Sequence, residues 1–433
     1  MISIENKSIC CGCGACVQKC PKKSISLIED SEGFLYPKVD ETTCINCGLC
    51  EKVCHEQHPF EEHSPMNVYA AYNLNENIRL KSSSGGIFYM LAEKTINEGG
   101  VVFGARFDLD WQVVIDYAEK QEDVLAFMGS KYVQARIGNT YQEAEKFLKQ
   151  GRSVLYSGTP CQIAGLNHYL RKDYDNLTTV DFVCHGVPSP KVWSLYLKEI
   201  VKKSCKVRSV SFRNKCKGWK YFNFSVSYND LDEKVTLLSD HGENEYMKAF
   251  LSDIILRPSC YQCKAKQGKS NRDLTIADFW GIDNEIPDMD DDKGTGLILV
   301  HSVKGKSILD FSKMKYVETS LEVASKYNPG LQSSILCPPK REYFFSRLDH
   351  AKSVIHLINK CFQPSVKQRI RNRLRLYKTV IKNFVKWGKY RIHILALIKR
   401  LSPPPPVEIL DISFRHKGEG WKNYKIKIKL QLK

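Results

Sequence analysis

Eight cysteines near the N-terminus carry the plainest chemistry, because they repeat one spacing. Cys10, Cys13, Cys16 and Cys20 form C-x2-C-x2-C-x3-C, closed by Pro21, and Cys44, Cys47, Cys50 and Cys54 form it again. Three such thiolates wrap one corner of a cubane, and the fourth of each run reaches across to the other cluster. The spacing predicts two [4Fe–4S] clusters. One rests on Cys10, Cys13, Cys16 and Cys54, the other on Cys44, Cys47, Cys50 and Cys20. Gly12, Gly14 and Gly48 let the backbone bend closely around the sulfurs. A pair of zinc sites is the alternative, but zinc ribbons favour two separated C-x2-C pairs over two runs of four. Cys11 breaks the period and reads as a bystander. His55 follows Cys54 where the first run has proline.

A second group of residues is scattered. "KSSSGG" (Lys81 to Gly86) precedes a helical run, "IFYMLAEKTI", so its amides and hydroxyls can hold a phosphate at a helix N-terminus. Ser and Gly also make ordinary helix caps there. "GSKYVQARIG" offers Lys131 as a phosphate or flavin partner. "YSGTPCQIAGL" ends a strand and opens a helix with Cys161 near its start, where the helix dipole favours a thiolate. "DFVCHGVPS" sets Cys184 and His185 at the end of another strand, and "RPSCYQCKAK" supplies Cys260 and Cys263. These four cysteines make a plausible third thiolate set. Alternatively Cys161 is a redox thiol, Cys184 a small buried hydrophobe and the last pair a zinc ligand pair. His185 is a candidate proton donor, although a lone histidine beside a cluster is more often structural. Cys205, Cys216, Cys337 and Cys361 lack partners at ligand spacing and read as structural. No G-x-G-x-x-G follows a strand, which leaves a nicotinamide Rossmann domain unsupported.

Several elements must position these residues. Nine of the 17 cysteines lie between Cys10 and Cys54, which marks residues 1–60 as a two-cluster module. "HEQHPFEEHSP" then reads as a linker. Residues 66–360 alternate strands ("GGVVFGARFD", "RSVLYSGTPC") with helical spacing ("YQEAEKFLKQG"), so the fold class is α/β (α+β). The net charge of +17 concentrates after Cys361, where Lys and Arg face only Glu408, Asp411 and Glu419. In 361–433 the spacing of Val366, Ile370, Leu374, Tyr377, Ile381 and Phe384 predicts a basic amphipathic helix, broken by "SPPPPV". "NYKIKIKLQLK" alternates as a strand does. The basic helix could touch an anionic membrane surface, an acidic partner or simply water. No recognised module supports nucleic-acid binding. With no apolar leader or membrane-spanning run, a cytoplasmic, possibly membrane-peripheral protein is expected.

The first module resembles bacterial two-cluster ferredoxins, which relay single electrons. The ordered motifs "KSSSGG", "GSKYVQ", "GTPCQI", "FVCHGVPS", "FRNKCKGW", "RPSCYQCKAK" and "ADFWG" resemble the coenzyme F420 hydrogenase/dehydrogenase beta-subunit family over about Val68 to Pro339. (F420 is a deazaflavin.) That resemblance implies an iron–sulfur flavoprotein oxidoreductase that moves electrons between clusters, FAD and a two-electron substrate. It implies FAD near Ser83, Ser84, Gly85, Gly86, Lys131, Gly158, Thr159 and Gln162, and a third [4Fe–4S] cluster on Cys161, Cys184, Cys260 and Cys263. The substrate would be F420-like or, as in similar bacterial proteins linked to surface polysaccharides, a sugar-pathway intermediate. A non-catalytic electron-transfer subunit serving a partner enzyme is the other reading. Either way a redox partner or small-molecule donor is expected.

Overall fold

The computed structural model describes residues 1–230 and 233–363, together with 371, 375, 407–416 and 424–432. The chain forms two compact units, Met1–Phe362 and Gln363–Lys433. The cluster module is therefore part of the same body as the central domain.

Within the module, strands β1 (Ile25–Glu29) and β2 (Leu35–Val39) pair antiparallel. The two cysteine runs each enter a short helix, Ala15–Lys19 and Leu49–Lys52. Both helices start from a left-handed glycine, Gly14 (φ 72°) and Gly48 (φ 70°), a conformation that costs glycine little. The sequence repeat is thus a structural repeat: the chain turns at the same point between the second and third cysteine of each run.

The central domain is built on an eight-stranded mixed sheet. Its strands are β3 (Asn67–Asn73), β4 (Val101–Phe107), β5 (Val113–Ala118), β6 (Val154–Gly158), β7 (Leu177–Phe182), β11 (Leu274–Asp278), β12 (Gly296–Val300) and β13 (Met314–Thr319). They lie in the order β13-β3-β12-β11-β7-β6-β4-β5. The neighbours β4, β6, β7 and β11 run parallel, and the flanking pairs are antiparallel. Alternate side chains divide between two cores, as the strand period of two requires. Val101, Phe103, Val154 and Tyr156 pack with the helices Thr140–Lys149 and Pro160–Leu170. Val102 and Leu155 face the other way, toward Met90 and Leu91 of the helix Ile87–Asn97. A separate meander, β8 (Lys206–Asn214), β9 (Asn223–Asp230) and β10 (Glu233–Asp240), carries the aromatic core of Trp193, Phe212, Phe224 and Tyr246.

In the second unit, β14 (Val407–His416) pairs antiparallel with β15 (Tyr424–Leu432). The strand expected from "NYKIKIKLQLK" is β15. The basic helix expected over 366–401 lies outside the described residues. Among the described residues, no helix is long and apolar enough to cross a membrane.

Candidate cluster and cofactor sites

Open α/β sheets collect ligands at the carboxyl ends of their parallel strands. Three of the scattered motifs follow such ends. "GTPC" follows β6, "VCH" follows β7 and "FWG" follows β11.

In the N-terminal module, Cys20 lines a small cavity with Cys44, Cys47 and Cys50. Cys54 lies instead beside Cys10, Cys13 and Cys16. The fold brings together the crossed sets read from the spacing. Burial raises the Cys54 thiol to about 11 and pushes Cys16 well up, with neighbouring thiols adding to the shift. A metal bound there would take the place of those protons. Gly12, at φ 73°, turns the first loop against Arg257, and a Cβ there would sit 2.8 Å from Arg257 Nη1.

Arg257 was missed in the sequence, although it opens the stretch "RPSCYQCKAK". It is fully buried. Its Nε donates to the Cys10 carbonyl at 2.7 Å and its Nη2 to the Leu35 carbonyl at 2.9 Å, while Nη1 donates to Gln134 at 3.0 Å. Its guanidinium also stacks 4.3 Å over the Tyr36 ring. A residue three positions before Cys260 thus binds the loop of the first cysteine set. On the other side, Gly165 of the helix Pro160–Leu170 approaches Cys13 so closely that a Cβ would meet its Cβ at 2.8 Å. These contacts dock the module onto the central domain.

Cys161, Cys184, Cys260 and Cys263 line one cavity of about 60 Å³. Cys161 stands in the first turn of its helix, and Thr159 Oγ1 lies 3.1 Å from its sulfur. Hydrogen bonding from Cys11 and Thr159 holds the Cys161 thiol down despite its burial. Burial raises Cys260 to about 11 and Cys263 to about 12. Four thiols lining one cavity are the donor set a cubane takes. Of the cysteines read as structural, Cys361 is buried, while Cys216 and Cys337 are exposed and form no core.

Ser83, Ser84, Gly85, Gly86, Lys131, Gly158, Thr159 and Gln162 all line a second cavity, of about 640 Å³. That volume is within the range of cofactor sites. The serines act differently from the expectation. Ser84 Oγ donates to the Thr295 carbonyl at 2.8 Å, and Ser83 Oγ accepts the Ser130 amide at 2.6 Å. Ser84 is thereby engaged as a donor, whereas the donors left at the cavity include the Ser83 hydroxyl proton and the start of the helix Ile87–Asn97, which no side chain caps. Gly85 is required by close packing, since a Cβ would strike the Ala71 carbonyl at 2.5 Å. Thr159 and Gln162 form a capping box, with the Thr159 amide donating to Gln162 Oε1 at 2.9 Å. Lys131 is not solvated as a lone lysine usually is. Its Nζ donates to the carbonyls of Phe127, Met128 and Gly129 at 3.2, 3.0 and 3.0 Å.

The two cavities share one wall, the segment from Phe182 to Val187, which includes Cys184 and His185. His185 Nε2 lies 2.6 Å from Asp253 Oδ1, which orients the ring. Against the Ser-Gly loop, Arg213 donates to the Ser83 carbonyl at 3.3 Å and forms a two-pronged pair with Asp278 at 3.0 and 2.9 Å. Its guanidinium stacks on Phe222 at 4.2 Å, and Trp219 stacks on Trp280 at 4.8 Å. These residues sit in or beside "FRNKCKGW" and "ADFWG", so the motifs held the signal without giving the roles.

Residues 9–57 match the model of the 4Fe-4S dicluster domain. Residues 151–324 match the model of the C terminus of the coenzyme F420 hydrogenase/dehydrogenase beta subunit. The chain thus carries, in this order, a stretch similar to a 4Fe–4S dicluster domain and a stretch similar to the C terminus of that beta subunit, as the ordered motifs had indicated. An uncharacterized protein of Methanocaldococcus jannaschii is 28% identical over 202 residues, covering 39% of this chain and 54% of the relative. The chain thus spans about half the length of that relative. A chain of the xenon-derivatized F420-reducing [NiFe] hydrogenase complex from Methanosarcina barkeri aligns with a TM-score of 0.40 at 17% identity, covering 69% of this chain and 91% of that one.

Proposed function

We propose that the protein is an iron–sulfur flavoprotein oxidoreductase with three [4Fe–4S] clusters and one FAD. Cys10, Cys13, Cys16 and Cys54 would hold the first cluster, Cys44, Cys47, Cys50 and Cys20 the second, and Cys161, Cys184, Cys260 and Cys263 the third. Clusters exchange single electrons and a flavin exchanges one or two, so together they connect a one-electron donor to a two-electron substrate.

The observation that carries this reading is the shared wall. The eight residues expected at FAD line one cavity, the four dispersed cysteines line another, and Cys184 and His185 belong to both. The uncapped helix start at Ile87 offers amides to a phosphate, and the Gly85 backbone admits close approach. Arg257 and Gly165 hold the first cysteine set against the elements that carry the third. His185, held by Asp253, would deliver or accept a proton on the flavin side. The substrate would be F420-like or a sugar-pathway intermediate entering the same cavity. The electrons would come from a redox partner in the cytoplasm. The basic segment 361–433 would meet an anionic surface, which co-sedimentation with anionic vesicles at low and high salt tests.

Anaerobic purification and cofactor analysis test the core of the reading. About one FAD and about twelve iron atoms per chain are expected from three cubanes and one flavin. Protein that carries zinc and no flavin sinks it. Stopped-flow mixing of the reduced protein with a deazaflavin or other hydride acceptors then separates an enzyme from an electron-transfer subunit, since only an enzyme reduces the acceptor without a second protein.

A further inference from the structure

Two features of the N-terminal module fall outside its cysteine period: the extra Cys11 and His55, which stands where the first run has proline. In the fold they meet. Cys11 Sγ lies 3.2 Å from His55 Nε2, and the same nitrogen lies 3.4 Å from Glu56 Oε1. The three ligand atoms are within 4.8 Å of one another, and the residues are 7%, 1% and 5% exposed. We infer that Cys11, His55 and Glu56 form a mononuclear divalent-metal site, of the zinc class, separate from the clusters.

The donor chemistry supports this. One thiolate, one imidazole and one carboxylate are the ligand types zinc takes, and the usual bond lengths place tetrahedral ligands about 3.4–3.6 Å apart. The two spacings around His55 Nε2 are close to that edge. Cys11 and Glu56 also border the four-cysteine cavity, and a water would complete the tetrahedron. The charge balance points the same way. Lys264, the nearest lysine to Glu56, donates to its backbone carbonyl at 2.5 Å and not to its carboxylate. A carboxylate and a thiolate ionised there would need a compensating cation, which a divalent ion supplies as it displaces their protons. None of the twelve cysteines assigned to clusters is used, so the site stands or falls apart from the flavin reading. Its consequence is mechanical. The metal would tie the loop entering the first cysteine run to the chain leaving the second, beside Cys161.

The test is metal analysis of the full chain, reconstituted anaerobically with iron and sulfide and then equilibrated with buffered zinc. About one zinc per chain is expected, with one sulfur and three nitrogen or oxygen neighbours in its absorption edge. His55→Ala and Glu56→Gln should each weaken zinc retention by more than about tenfold with iron and sulfide unchanged. Should His55→Ala misfold, the isosteric Glu56→Gln still decides. Absence of zinc from the wild type, or equal zinc in wild type and Glu56→Gln, overturns the site. So does Cys11→Ser that loses iron and sulfide along with zinc, since Cys11 would then be a cluster ligand.

Discussion

The N-terminal module and the four-cysteine cavity of the central domain reach similar donor sets by opposite routes. In the module, eight cysteines sit in two short repeats, and two left-handed glycines aim them. Little beyond the local turn is needed. In the central domain the four cysteines come from a helix start, a strand end and a turn, from Cys161 to Cys263. The sheet must form before they can converge. The module depends on its ligands for its fold, because so short a segment buries little core, whereas the central site depends on a fold that stands on three large apolar clusters.

That contrast predicts unequal losses. Cys13→Ser should lower the iron of the whole module, because the two clusters share one small fold and metal binding there is worth on the order of 10 kcal/mol. Cys184→Ser should remove only about a third of the iron, the share of one cubane in three, and leave the module's spectrum intact. Iron and sulfide assays read both. Equal losses from the two variants would erase the distinction.

A smaller effect is expected where the regions touch. Arg257→Leu leaves the Cys10 and Leu35 carbonyls without their buried donor, at a cost of about 3 kcal/mol. Thermal unfolding should show the module parting from the central domain at lower temperature. Gly165→Ala forces a Cβ against Cys13 and should cost about 1–3 kcal/mol. Gly151→Ala meets nothing within 4 Å and should cost only the φ penalty of about 1 kcal/mol. If Gly151→Ala is as damaging as Gly165→Ala, the close approach to Cys13 does not matter.

The least effect concerns pH. In the cluster-free chain, where the central fold stands, burial raises Cys260 to about 11 and Cys263 to about 12, above the ordinary thiol value of 9.0. The folded state then holds protons that the unfolded state releases. Stability is full below pH 9.0 and falls as pH rises through 11 and 12. The cluster-loaded protein has no such protons to lose. Denaturant midpoints should therefore fall from pH 8 to pH 10 for the cluster-free chain and rise for the loaded one, whose thiolates take up protons only on unfolding.

Much was legible because it was local. The repeat spacing named the cluster cysteines, and the strands at "GGVVFGARFD" and "RSVLYSGTPC" and the helices at "IFYMLAEKTI" and "YQEAEKFLKQG" stand where their patterns put them. What was not legible was the partner of a local group. The serines of "KSSSGG" looked like ligand donors, yet Ser84 and Ser83 bond to Thr295 and Ser130, which are distant in sequence. The stretch read as a linker begins with His55 and Glu56, which are buried. No periodicity marks a residue whose burial comes from another element.

By itself the sequence determined which cysteines repeat, where the chain turns glycine-left-handed between them, and which strand ends carry polar loops. Spacing and backbone preference act over a few residues and survive without a fold. Only the tertiary structure decided that Arg257 binds the Cys10 loop, that Cys184 and His185 serve as the wall between two cavities, and that Cys11 meets His55. Each of those joins residues from separate elements. Their distance is set by how the sheet, its helices and the cluster module pack, and that packing is encoded jointly by all the core positions and by no single motif.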